Sequence, residues 1–142
     1  MDTKMTQMRK MRDTELRKCF LERLAKAYKK AGCIDRRSII MDTITNSKPY
    51  YYVTFDHALR VVHEMMKRET ELKHPTLKQR MWLEITERTT YKMLERNMNV
   101  QEALLHVLLY EHASRFFISE KYAYNILYKL VHEKRPYNNF AA

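Results

Sequence analysis

At 142 residues the chain is long enough for one domain or two small ones, and a hydrophobic fraction of 45% supplies a core, which excludes wholesale disorder. One glycine and three prolines leave few tight turns, which excludes a β-sandwich, a barrel and a glycine-rich nucleotide fold and points to an all-α chain. Twenty-seven Lys and Arg against seventeen Asp and Glu leave a net charge of +10, a balance that suits a polyanionic partner, above all nucleic acid, ahead of an acidic lipid or protein surface.

Residues 1–13 are charged and rich in methionine (Lys4, Arg9, Lys10, Arg12) and are expected to form a basic N-terminal arm or an early helical turn. From about Thr14 the stripe Leu16, Cys19, Phe20, Leu24, Ala27, Tyr28 and Ala31 predicts a helix that Gly32 stops. Asp35 is placed to cap a short second helix carrying Ile39, Ile40 and Ile44. Asn46-Ser47-Lys48-Pro49 reads as a loop, and the β-prone Tyr50-Tyr51-Tyr52-Val53 reads as an extended link. A third helix is expected from Phe55 to about Lys73, and His74-Pro75 ends the first unit. Thr76 and Gln79 have capping-box spacing for a fourth helix to about Arg96, burying Met81, Ile85 and Trp82. Asn99 and Glu102 repeat that spacing ahead of a short, very apolar fifth helix, which should be buried on most sides or covered by a partner chain. Phe116-Phe117-Ile118 leads into a sixth helix ending near Lys134, before Pro136.

One stretch occurs twice. Tyr51-Tyr52-Val53-Thr54-Phe55-Asp56-His57-Ala58 recurs in kind as Phe116-Phe117-Ile118-Ser119-Glu120-Lys121-Tyr122-Ala123, 65 positions later. The same offset relates Val61 to Ile126, Val62 to Leu127 and Glu22-Arg23 to Glu87-Arg88. The repeated content is a helix start. Thr54 and Ser119 are N-cap residues, Asp56 and Glu120 oppose the helix dipole, and Val53 and Ile118 fix the entry of the chain. The expectation is two tandem trihelical repeats packed together, over 14–74 and 75–135, with a C-terminal tail over 136–142. The four aromatics Tyr51, Tyr52, Phe116 and Phe117 should be at least half buried.

In outline each unit resembles the trihelical core of helix-turn-helix DNA-binding domains, whose third helix enters the major groove. The link from Asn46 to Val53 departs from that pattern, being longer than the usual turn and lacking a glycine. The resemblance implies duplex DNA as the partner, read by the third helix of a unit.

Nothing indicates an enzyme, a cofactor or a metal. None of the six histidines makes HExxH, a His-x-His pair or a zinc-finger spacing, and Cys19 and Cys33 lack CxxC spacing. With no apolar run near the ~20 residues of a membrane span and no signal peptide, the expected location is the cytoplasm with reduced thiols, at the nucleoid if DNA is bound, in the style of small bacterial or phage-encoded proteins.

If the sixth helix buries Ala123, Ile126, Leu127, Leu130 and Val131, its other face shows Lys121, Tyr124, Asn125, Tyr128 and Lys129, with Arg115 at its entrance. Lysine and asparagine can meet phosphates or base edges, and tyrosine can stack. The matching face of the third helix carries Arg60 and Lys67 among less basic neighbours, with Leu59 available for a partner or dimer contact. Two readings follow. The first is a small basic DNA-binding accessory or regulatory protein; the second is a helical interaction or assembly protein, a homo-oligomer or one that meets an acidic protein, RNA or a virion.

Overall fold

A computed structural model describes residues 3–30, 35–68 and 71–132, with the side chains of the last helix described as far as residue 128. The described residues form six helices and no strands: α1 (Lys4–Lys30), α2 (Arg36–Asn46), α3 (Phe55–Met66), α4 (Leu77–Arg96), α5 (Val100–Tyr110) and α6 (Glu120–His132). The expected stop at Gly32, the thiol of Cys33, the third-helix extension at residues 69–70 and the tail beyond 132 lie outside the described residues.

The helix starts follow from their caps. Asp35 accepts from the Arg37 N–H, Thr54 from His57, and Asn99 from Glu102. Thr76 and Gln79 close a reciprocal capping box, and the Tyr122 N–H donates to Ser119 Oγ at 3.0 Å. Each cap satisfies a backbone donor that the first turn leaves orphaned.

One start and one end differ from expectation. The basic arm is helical, because Thr3 caps it: the Thr6 N–H donates to Thr3 Oγ1 at 3.1 Å, and α1 begins at Lys4 rather than near Thr14. The third helix ends at Met66, with Lys67 as its C-cap, instead of running to Lys73. Tyr28, expected in the α1 stripe, is exposed, since α1 outruns the helices packed on it. The apolar fifth helix buries Ala103, Leu104 and Val107 but leaves Leu105, Leu109 and Tyr110 exposed, because α3 and α4 cover only one side of it.

The packing does not follow chain order. α1 and α2 pack on each other and on α6, while α4 and α5 pack on each other and on α3. The first core joins Leu16, Phe20, Ile40, Ile44, Phe116, Ile118, Ala123 and Leu127. The second joins Tyr51, Ala58, Val62, Trp82, Ile85, Leu104, Val107 and Ala113. Each helix that follows an aromatic link therefore completes the other half of the molecule.

The links make the crossing possible. In an extended chain successive side chains point to opposite sides. Tyr51 enters the α3–α4–α5 core, while the next residue, Tyr52, donates its hydroxyl to Glu15 of α1. Phe116 enters the α1–α2–α6 core, while Phe117 packs on the other. Each aromatic pair thus pins one ring to each half. All four rings are at least half buried, Tyr51 being 5% and Phe116 1% exposed. The links also touch directly: the Ala113 N–H donates to the Pro49 carbonyl at 2.7 Å, and His112 stacks on Tyr50 with ring centroids 4.4 Å apart. Proline has no N–H to return that bond.

Two arginines 65 positions apart each tie one helix to the next. Arg23 of α1 meets Asp42 of α2 at 2.8 Å, and Arg88 of α4 meets Glu111, the C-cap of α5, at 3.7 Å. Arg88 also donates to the Tyr51 hydroxyl at 2.8 Å and pairs with Glu84 at 3.2 Å, while the buried Lys92 holds Glu111 at 3.0 Å. Arg88 is the point where the crossing link, α4 and α5 are tied together.

Candidate nucleic-acid interface

The α6 face expected to be open is open. Ala123 and Leu127 are fully buried and Ile126 packs beside them, so helical geometry turns Lys121, Tyr124, Asn125 and Tyr128 to solvent. The Tyr124 and Tyr128 rings, one turn apart, lie 5.9 Å apart at 52°. Lys129 belongs to α6, but its side chain lies outside the described residues, as do those of Leu130 and Val131. Glu120 at the helix start is taken up by Arg37 of α2 at 2.7 Å, which offsets part of the negative charge on this face.

The other expected residues lie elsewhere. Arg60 is exposed on α3 and Lys67 is exposed at its C-cap, and α3 makes no contact with α6. Leu59, named above for a partner or dimer contact, is partly buried and packs against the α3–α4–α5 core. Arg115 is half buried in the link that leads into α6. Its Nε donates to the Phe116 carbonyl at 2.9 Å, and its guanidinium lies 6.0 Å from the centre of the Phe117 ring. Desolvation, with the nearby Arg80 charge second, holds its pKa below the ordinary arginine value.

Arg115 opens onto a cavity of about 220 Å³ where α1, α4 and the two links meet. One wall is a single face of α1, with Met5, Met8, Arg9 and Arg12 at spacings of three and four. The other is a face of α4, with Lys78, Met81 and Trp82 at the same spacings. Arg12 is already engaged, donating to Asp13 at 3.2 Å and to the Tyr122 hydroxyl at 2.7 Å. Among the described residues, Arg9, Lys78 and Arg115 have no carboxylate partner and no Asp or Glu lines the cavity. Sequence reasoning missed Arg9, Arg12 and Lys78 because the first two were assigned to an arm. Thr3, three positions before Thr6, is the cap signal that marks the arm as a helix.

No known protein family, no curated protein and no solved structure matches the chain. Among the described residues no group of three or more His, Cys, Asp or Glu is arranged to hold a metal ion, and no helix is long and apolar enough to cross a membrane.

Proposed function

We propose that the chain is a small DNA-binding accessory or regulatory protein without catalytic activity, built of two helix-turn-helix-like repeats, α1–α3 and α4–α6, that exchange their third helices. The caps Thr54 and Ser119, the clamps Arg23 and Arg88, and the aromatic pairs 51–52 and 116–117 all stand 65 positions apart and do equivalent work, which supports a duplication. The observation that carries the DNA reading is the solvent-facing set Lys121, Tyr124, Asn125 and Tyr128 on a helix anchored to two others, in a chain of net charge +10. Lys121 meets a phosphate, Asn125 reads a base edge, and the two tyrosines stack or donate to the backbone.

Fluorescence polarisation on duplex DNA at several salt concentrations is the test. Affinity should fall with a log–log slope of about −0.9 per phosphate neutralised. Lys121→Ala should flatten that slope by about one unit, and Asn125→Ala should lower discrimination between sequences by about 1–3 kcal/mol. No binding by the parent protein at low salt refutes the proposal.

A specific observation favours a second reading, an interaction or assembly protein. Tyr91 and Leu94 on α4 and Leu105, Leu109 and Tyr110 on α5 are exposed, Leu94 at 80%. Large exposed apolar residues on a packed helix pair suit a protein partner or a second copy of the chain, and α1 and α2 expose Met5, Met11, Leu21, Tyr28 and Met41 besides.

A further inference from the structure

We propose that the cavity between α1, α4 and the two links is a nucleotide site, with Arg9, Lys78 and Arg115 holding the phosphate of a nucleoside monophosphate and its base lying against Trp82 and the methionines Met5, Met8 and Met81. The proposal is independent of the α6 reading, because no residue of the α6 face lines the cavity.

The charge pattern selects an anion. Among the described residues, three cations without carboxylate partners and no acid in the lining leave a field that a phosphate neutralises. Arg115 is the most telling of them. A half-buried guanidinium beside a second arginine bears a desolvation cost that an anion in the cavity would offset. The planar fork of arginine also matches phosphate oxygens in pairs.

The rest of the lining selects an aromatic body for that anion. Methionines from two helices face each other across the space, and Trp82 meets His57 edge-on at 5.3 Å, with the rings at 82°. Thioether sulfurs pack well against flat rings, and a base can stack on an indole. A cavity of about 150 Å³ already admits benzene, so about 220 Å³ takes a base with part of its sugar, while the phosphate sits at the open, cationic rim. Inorganic phosphate alone would leave the apolar walls unused. A nucleoside alone would leave the three cations unmatched.

The chain reports on the site by itself, since Trp82 is its one tryptophan. Nucleoside monophosphates titrated into the full-length protein at low salt should change Trp82 fluorescence saturably. The parent nucleoside and inorganic phosphate should each bind at least about tenfold more weakly. Arg9→Glu with Lys78→Glu should weaken nucleotide binding by about tenfold or more with an unchanged circular dichroism spectrum, as both side chains are exposed and make no other bond among the described residues. Lys121→Ala should leave nucleotide binding unaltered even where it weakens duplex binding, which separates the two sites. A single strand ending in a phosphate that binds more tightly than the free nucleotide identifies the natural ligand as a strand end, and equal or weaker binding identifies it as a free nucleotide. No fluorescence change and no calorimetric signal up to about 1 mM nucleotide overturns the proposal. So does full affinity in the double charge-reversed variant.

Discussion

At the scale of single residues, the aromatic pairs decide most. Phe116 fills the α1–α2–α6 core at 1% exposure, so Phe116→Ala should cost about 3–5 kcal/mol, read as a shift in the denaturant midpoint. Phe117→Ala should cost less, because that ring is only partly buried. Tyr51 adds a pH dependence. Burial, with the Glu84 charge second, raises the pKa of its hydroxyl far above the ordinary value. The folded protein then keeps a proton that the unfolded chain gives up near pH 10, so this stabilisation is complete below that pH and drains away above it. Tyr52 and Tyr122 are raised as well, both mainly by burial, and add to the same alkaline loss. Tyr51→Phe should lose about 1.5–3 kcal/mol at neutral pH with the bond to Arg88, yet show a shallower fall between about pH 9 and 11. Urea midpoints across that range check both signs.

At the scale of elements, the caps set where helices begin and their geometry ranks them. The Ser119 cap bond is 3.0 Å, whereas the Thr54 bond to the His57 N–H is 3.4 Å. Ser119→Ala should therefore destabilise by about 1 kcal/mol and Thr54→Ala by less, within the usual range for lost caps. Equal midpoints for the two variants would show that the bond lengths do not govern the cost. Caps and stripes were readable in the sequence because they are local: Asp35, Thr54, Thr76, Asn99 and Ser119 each serve a backbone group two or three residues away. The α1 start is equally local, with Thr3 serving the Thr6 N–H, but residues 1–13 show charge and methionine rather than an apolar stripe.

At the scale of the whole molecule, the packing of α3 on α4 and α5 and of α6 on α1 and α2 makes the two halves of the sequence depend on each other. A fragment covering residues 1–68 has α1 and α2 without α6, and a fragment covering 71–142 has α4 and α5 without α3. Each fragment alone should lack a cooperative thermal transition, since a core missing one of three helices exposes apolar faces such as Leu16–Phe20 or Trp82–Ile85. Mixing the two should restore one transition and the full helical signal in circular dichroism. Cooperative folding of either fragment by itself would mean that a third helix can close on its own unit, and that the crossing is a choice between near-equal packings.

The sequence by itself determined the all-helical class, the cap positions, the burial of the four aromatics and the open face of α6. These depend on interactions within a few residues and on periodicities of two and 3.6, which a linear chain displays. Only the tertiary structure decided which helices share a core. The 65-residue offset between similar stretches is the same whether α3 packs with α1 and α2 or with α4 and α5. The choice lies in the extended links, where adjacent residues such as Tyr51 and Tyr52 point to opposite halves and Pro49 accepts from Ala113. The cavity is a product of that same crossing. Arg9, Lys78 and Arg115 are far apart in the chain, and no pattern local to any one of them shows that folding brings three cations around one space without a carboxylate to balance them.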